Sequence, residues 1–421
     1  MHKNPPITVF EHQSLRTDKG DPRLTNDQLR ALQSFYGNGV PYFSLIHNGV
    51  QFNEYVGVVQ IGNTLIEVLP KADKYTDDKG SWRSLLIDML RVVSGFETKS
   101  TSNADLKVKP NTILDLYFEL FIKEIEYLLH GGLIKKYRKK EANNTALKGN
   151  IIFSKHIQKN ITHQEQFYTR FTTYDVIHPI HQIIYKTLLL LKQINNNSFL
   201  SSRIGGLLLN FPEMPAIKVS EETFDKILYN RKSLSYKKAL EIAKMILLQY
   251  HPDLNKGKND VLALMFDMNV LWEKFVYLSL KKHSPKNYSI IAQTSKNFWK
   301  PIGGRKAKIK PDILIIKGNV ECIVLDTKWK NINGYNPSPD DLKQLYIYHH
   351  YFKANKVALV YPGNYETRNG VYFDPDDSLS KKICSIITLE ENKNVKNWQS
   401  EIYKKIENWS NELVNDEETT V

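Results

Sequence analysis

The stretch that most constrains the fold runs over residues 308–330, KIKPDILIIKGNVECIVLDTKWK. Two β-prone apolar runs flank Lys317-Gly318-Asn319, whose residues favour a tight turn. The pattern predicts a β-hairpin, with Ile313 to Ile316 as the first strand and residues 320–329 as the return. Folding about Gly318-Asn319 sets Asp312 level with Asp326, within one residue of register. Asp326 and Lys328 are two apart and therefore point to the same face. Two carboxylates side by side on a bare sheet repel each other. A cation held between them removes the conflict.

Hard oxygen donors point to a hard ion. Asp312, Asp326 and the main-chain carbonyl of Thr327 can hold Mg2+, or Mn2+ in its place, with water completing the shell. Such an ion lowers the pKa of bound water and neutralises phosphate charge. Lys328 is placed to position that water or to stabilise a pentavalent phosphorane. The chemistry is phosphodiester hydrolysis. An Asp at a strand start and Asp-x-Lys at a strand end also occur as solvated edges. The ordered set of Pro-Asp, strand, turn, strand and Asp-x-Lys is more specific than either part.

Pro311-Asp312 followed by Asp326-Thr327-Lys328 resembles the PD-(D/E)XK nuclease signature. The surrounding residues resemble one branch of it: the McrC family, nuclease subunits of McrBC-type, 5-methylcytosine-specific restriction systems. Asp341-Leu-Lys-Gln344-Leu-Tyr-Ile-Tyr348 is similar to that branch's D-x-x-Q-x-x-x-Y helix. Met268 to Val276, MNVLWEKFV, is similar to its M-N-x-L-F/W-E-x-F-V helix. Ile66 to Lys71, IEVLPK, is similar to its I-x-V/I-x-P-K segment. The matches keep the family's order across most of the chain. The resemblance implies a separate AAA+ GTPase partner that recognises and translocates DNA, and whose GTPase this subunit stimulates. The chain has no G-x-x-x-x-G-K-[ST] loop, so the motor belongs to another chain.

A chain of 421 residues is long enough for two cores, and 41% hydrophobic with 24% charged residues suits a folded globular protein. The formal net charge of +13 favours a polyanionic partner, DNA first. Two cysteines, Cys322 and Cys384, rule out a disulfide framework or a Cys-rich zinc site. The first residues lack an apolar leader core, and no run approaches a membrane span. The expected location is the cytoplasm.

The expected architecture is α/β, α+β overall. Residues 1–255 form an N-terminal β-rich and helical domain, and residues 256–421 a nuclease domain with a central mixed sheet flanked by helices. By the resemblance, the N-terminal domain docks the AAA+ partner and stimulates its GTPase. The boundary is set by HPDLNKGKND at 251–260, polar and rich in Pro and Gly. Before it, residues 42–70 read as an antiparallel meander, and 113–129 and 235–250 as amphipathic helices. Lys135, Lys136, Arg138, Lys139 and Lys140 read evenly as a solvated charge run or as a phosphate-contact or docking surface. His178 and His181 flank a helix start and read as structural residues rather than ligands.

After the boundary, residues 261–280 are apolar on nearly all sides and read as one buried helix. Glu273 lies in it. It is read as an acid near the metal, with a salt bridge to Lys274 or another neighbour as the alternative. Arg305, Lys306, Lys308 and Lys310, preceded by Lys300, are placed to meet the DNA backbone. Gln344 and Tyr348 share a helix face. By the resemblance that face looks back at the hairpin, with Gln344 orienting DNA or Lys328; packing is the alternative role, above all for Tyr348.

The expected function is a Mg2+-dependent DNA endonuclease subunit of a restriction system. Asp312 and Asp326 bind metal, Lys328 serves the attacking water, and Glu273 and Gln344 assist. Two other readings stay open: a non-cleaving regulatory subunit on the AAA+ ring, and a stand-alone structure-specific nuclease.

Overall fold

The computed structural model describes residues 6–37, 39–62, 64–71, 78–93, 112–251, 260–318, 321–330, 336–392 and 394–412. They form two compact units. One comprises residues 1–59, 64–107 and 265–421; the other comprises 60–63 and 108–264. The sequence boundary at 256 is therefore corrected. The first hundred or so residues belong with the C-terminal part, and the second unit is a long insertion between them.

The C-terminal part of the first unit holds a six-stranded mixed sheet. Its order is Tyr288–Ala292, Ile313–Lys317, Glu321–Thr327, Lys356–Pro362, Leu379–Leu389 and Arg368–Phe373. The first three strands pair antiparallel. Glu321–Thr327, Lys356–Pro362 and Leu379–Leu389 pair parallel. A strand buried on both faces needs apolar residues at every position. IVL at 323–325 and VALVY at 357–361 meet that requirement, and all are buried.

Helices cover both faces. Pro339–Phe352, capped by Ser338, lays Leu345, Tyr348 and Phe352 on Leu314, Val324, Val357 and Leu359. On the other side Met268–His283 packs against Val395–Asn411. There Trp272 and Phe275 meet Trp398, with ring centroids 5.7 and 4.6 Å apart. The α/β class with a central mixed sheet flanked by helices is what the sequence predicts.

One predicted helix is corrected. Residues 261–280 are a strand, Val261–Asp267, followed by the helix Met268–His283. The switch falls at Asp267, whose Oδ1 accepts from the Asn269 and Val270 amides as an N-cap. An unbroken apolar run does not reveal such a switch, because a buried strand and a buried helix look alike in composition.

The N-terminal part of this unit is also not a plain meander. Ile7–Phe10 runs parallel to Thr64–Leu69, Ile7 facing Ile66 and Phe10 facing Leu69. Phe43–Ile46 and Gly49–Phe52 form a hairpin, joined by Ser14–Arg16 in a separate sheet. The turn carries Asn48 at φ 55°, a conformation Asn tolerates better than most residues. Helix Asn26–Tyr36 starts at a Thr25 capping box with Gln28.

The second unit packs the helices Ile113–His130, Pro179–Ile194, Ser198–Asn210 and Lys237–Leu248. It also carries the strands Lys136–Asn144 and Phe167–Asp175, in register from Lys136 opposite Asp175 to Asn144 opposite Phe167. Lys136, Arg138, Lys139 and Lys140 of the basic run lie on the first of these strands, where Arg138 pairs with Asp175 at 2.9 Å. His178 and His181 are structural here, as the sequence suggests. His181 bonds the Val176 carbonyl and the Tyr236 hydroxyl, and His178 bonds the Ile134 carbonyl. Residues 252–259 of the predicted linker lie outside the described residues, as do the turn residue Asn319 and the acidic tail from 413.

The aromatic layer gives a direct test. Trp398 is buried, and its indole N–H has no acceptor among the described residues. Trp398→Ala is expected to cost about 3–5 kcal/mol in urea unfolding. Trp398→Phe keeps ring mass and removes the unpaired donor, so it should cost clearly less than Trp398→Ala.

Candidate active site

The hairpin forms in the register that the sequence requires. Ile313 faces Leu325 and Lys317 faces Glu321, which carried one step outward sets Asp312 opposite Asp326. Leu314 and Val324 point toward the Pro339–Phe352 helix. By strand alternation the two acids point the same way.

Asp312 is fixed by two donors. Its Oδ2 accepts from the Thr327 amide at 2.7 Å and the Thr327 hydroxyl at 2.9 Å. Asp326 is 2% exposed. Its Oδ2 has Lys328 Nζ at 2.8 Å as counter-charge. Lys328 also reaches Asp341 Oδ1 at 3.5 Å, and Asp341 Oδ2 holds Lys330 at 2.8 Å. Asp341 thus links the helix to Lys328. It lies within the D-x-x-Q motif but carries no sequence-predicted role.

Electrostatics follow from this crowding. Burial, then the neighbouring Asp312 carboxylate, push Asp326 up to about 6 against the pull of Lys328. Burial and Asp312 also raise Glu273. Burial pulls Lys328 down, but Asp326, Asp341 and Asp312 together outweigh it and hold the ammonium above its ordinary value. The lysine is charged at neutral pH.

The hydrogen-bond donor to Glu273 is a residue that the sequence reading did not name. Glu273 Oε1 accepts from Gln293 Nε2 at 3.0 Å, while Lys310 and Lys274 act on it through charge. The Gln293 amide also donates to the Asp312 carbonyl at 3.0 Å. Gln293 therefore ties Glu273 to the Asp312 backbone, and no motif pointed to it. Among the described residues Gln344 is hydrogen-bonded to Tyr348 rather than to Lys328. Its Nε2 donates to the Tyr348 hydroxyl at 2.6 Å, and that hydroxyl donates to the Lys310 carbonyl at 3.0 Å. Tyr348 is core, as one reading of the sequence allowed, and it also pins the chain just before Asp312.

Trp329, one residue past Lys328, is held on three sides. Its amide donates to Asn269 Oδ1 at 3.1 Å, its indole N–H to Glu11 Oε1 at 2.8 Å, and its ring lies 5.4 Å from that of Trp272. Glu11 Oε1 also accepts from the Lys71 amide at 2.8 Å. The IEVLPK segment, the MNVLWE helix and the DTKW strand therefore converge through Glu11 and Asn269. Burial raises Glu11 to about 7. A single glutamate in a polar N-terminal stretch gave no sequence signal for this.

The donor set fits a hard divalent ion. Two carboxylates share one face, and the buried Asp326 has the Lys328 ammonium at 2.8 Å against it. Among the described residues no three His, Cys, Asp or Glu side chains form a ready-made metal cluster. An ion here would depend on these two acids, main-chain oxygen and water. Arg305, Lys306 and Lys308 are exposed on the segment leading into Asp312, with Lys310 at its end. No helix among the described residues is long and apolar enough to cross a membrane.

These features define a mixed α/β protein with an acidic pair and a lysine gathered on one hairpin. Residues 50–362 match the family model described as McrBC 5-methylcytosine restriction system component, and the chain belongs to that family. No curated protein matches. A chain of the Thermococcus gammatolerans assembly of McrB AAA+ hexamers with bound McrC is similar at 19% identity and a TM-score of 0.70. That match covers 96% of this chain and 100% of the other. A second solved structure, the Thermococcus gammatolerans McrBC complex, matches at 19% identity and a TM-score of 0.49. It covers 66% of this chain and 88% of the other.

Because Asp326 is held above its unfolded value, its ionisation opposes folding as pH rises from about 4 through 6. Asp326→Asn should therefore raise the thermal midpoint at pH 7.5, by about 2–4 °C for each kcal/mol released. The gain should shrink at pH 5, where the wild-type carboxyl already holds its proton. Melting curves at the two pH values check this.

Proposed function

We propose that this chain is the DNA-cleaving subunit of its restriction system and hydrolyses phosphodiesters with Mg2+ at Asp312 and Asp326. The observation that carries the reading is the register-enforced pairing of these two acids, with Lys328 against the buried one. Asp312, Asp326 and the Thr327 main-chain oxygen would hold the ion, and Mn2+ would substitute. The bound ion supplies an acidified water and charge neutralisation at the phosphate.

The chain's own residues do the rest. Thr327 aims the Asp312 carboxylate through its amide and hydroxyl. Lys328, kept charged by Asp326 and Asp341, faces the scissile phosphate and stabilises negative charge as it develops. Glu273, raised by burial, is a candidate proton acceptor beside Asp312. Gln344 acts at one remove, by fixing Tyr348 and hence the Lys310 backbone. Arg305, Lys306, Lys308 and Lys310 bind the DNA backbone.

The partner in this reading is an AAA+ GTPase of the McrB kind. The Thermococcus gammatolerans assembly joins McrB AAA+ hexamers to McrC. The inserted unit, residues 108–264, would dock on that partner and stimulate its GTPase. The cytoplasm is the compartment in which incoming DNA would be met.

The test is cleavage of plasmid DNA by the reconstituted pair with GTP and Mg2+. Asp326→Ala should lower cleavage by about 100-fold or more while GTPase stimulation persists. Equal cutting by both proteins would overturn the site assignment. Stimulation by the wild type without any cutting would mean a regulatory subunit, and cutting of branched DNA without a partner would mean a stand-alone nuclease. Mg2+ should also raise the thermal midpoint of the wild type and not that of Asp326→Ala. Alanine at Arg305, Lys306 or Lys308 should each lower the log–log salt slope of DNA binding by about 0.9.

A further inference from the structure

Between Gln293 and Lys310 the chain leaves the sheet as a lone two-stranded ribbon. Lys296–Trp299 pairs with Ala307–Ile309, with a register shift between Asn297 and Trp299. Among the described residues no third strand joins it. Both ends of the ribbon are anchored in the site. The Gln293 amide holds the Asp312 carbonyl, and the Lys310 carbonyl holds the Tyr348 hydroxyl. Its base is braced on the Pro339–Phe352 helix: Phe298 lies 5.5 Å from the Tyr351 ring, and Lys296 Nζ sits 4.9 Å over Phe352 and donates to the Tyr351 carbonyl. The ribbon is thus an arm fixed at the acidic pair.

Its outer half is built against ordinary surface chemistry. Trp299 is 61% exposed and Ile302 is 108% exposed. Ile302 stands at the tip of a turn closed by the Gly304 amide on the Pro301 carbonyl, with Gly303 at φ 81°. A side chain at Gly304 would meet Pro301 Cγ at 2.4 Å, so the tip conformation requires glycine there. The turn is therefore formed, and it aims an apolar group into solvent. Around it stand Lys300, Arg305, Lys306 and Lys308, all exposed, none of them in an ion pair or side-chain hydrogen bond among the described residues.

A lone ribbon that exposes an indole and a branched aliphatic side chain within a ring of free cations fits one kind of surface. Cations meet phosphates, while apolar wedges and flat rings enter between bases. A protein partner could also cover Trp299, but residues 294–311 hold no acid beside their cations, and that one-sided charge fits a phosphate backbone. We propose that this arm is a DNA wedge: Ile302 and Trp299 enter the base stack while Lys300, Arg305, Lys306 and Lys308 grip the flanking backbone. The wedge unstacks a step of the duplex next to the bond presented to Asp312 and Asp326. This rests on the nuclease reading for its purpose but not for its detection.

The experiment uses the full chain with duplex DNA carrying 2-aminopurine, in Ca2+ so that binding is read without cutting. Wild type and Asp326→Asn should both raise 2-aminopurine fluorescence at one position of the bound duplex. Trp299→Ala with Ile302→Ser should abolish that rise and weaken binding about 10-fold, since stacking contributes about 1–3 kcal/mol per base. Both residues are exposed, so the variant should melt with the wild type, and Ile302→Ser alone serves as a second variant. Lys306→Ala with Lys308→Ala should weaken binding yet keep the fluorescence rise at saturation. Unchanged fluorescence and affinity in the Trp299 and Ile302 variants would overturn the wedge even if cleavage is confirmed. Loss of AAA+ partner association with DNA binding intact would overturn it in favour of a protein-docking arm. A fluorescence rise without any cleavage by the reconstituted pair would uphold the wedge and sink the nuclease reading instead.

Discussion

The structure depends on a repulsion that the backbone enforces. Strand pairing from Ile313–Leu325 to Lys317–Glu321 leaves Asp312 and Asp326 no freedom to part. A one-residue slip would turn every side chain to the opposite face and bury the wrong set. Leu314, Val324, Val357 and Leu359 make that slip costly, because all are packed under one helix. The apolar core thereby keeps two like charges together that would otherwise separate. The surrounding polar groups answer this stress: Thr327 on Asp312, Lys328 on Asp326, Asp341 behind Lys328.

Sites of this kind exchange stability for chemistry. A buried carboxyl near pH 6 beside another acid is unfavourable in a protein that only needs to fold. The strain is confined to one end of the hairpin. At the other end Lys317 meets Glu407 at 3.5 Å and caps the strand with ordinary pairing.

Much of the site was legible in the sequence because it is local. A turn, two β-prone runs and an acid at each outer end fix the pair through residue counting alone. The helix carrying Gln344 and Tyr348 was equally plain from its motif spacing, and it spans Pro339–Phe352. What the sequence did not reveal is long-range. Glu11 lies 318 residues from its partner Trp329, and no periodicity links them. Gln293 looked like one polar residue among many. The strand Val261–Asp267 was hidden because full burial erases the alternation that separates strands from helices. The domain boundary was misjudged for a related reason. A polar linker marks where a chain is exposed, not which segments share a core, and the insertion of residues 108–264 returns the chain to a core begun two hundred residues earlier.

The Glu11 clasp has a practical corollary for anyone dissecting the molecule. Expression of the C-terminal half alone, however neatly trimmed, would discard the strand Ile7–Phe10, the Lys71 amide and the helix Lys79–Val93 that packs on Met268–His283. The indole of Trp329 would lose its acceptor one residue from Lys328, and the aromatic layer beneath would meet water. Fragment boundaries for this chain are better drawn around the insertion than across its middle. The amino-terminal segment is as much a part of this compact unit as the hairpin itself.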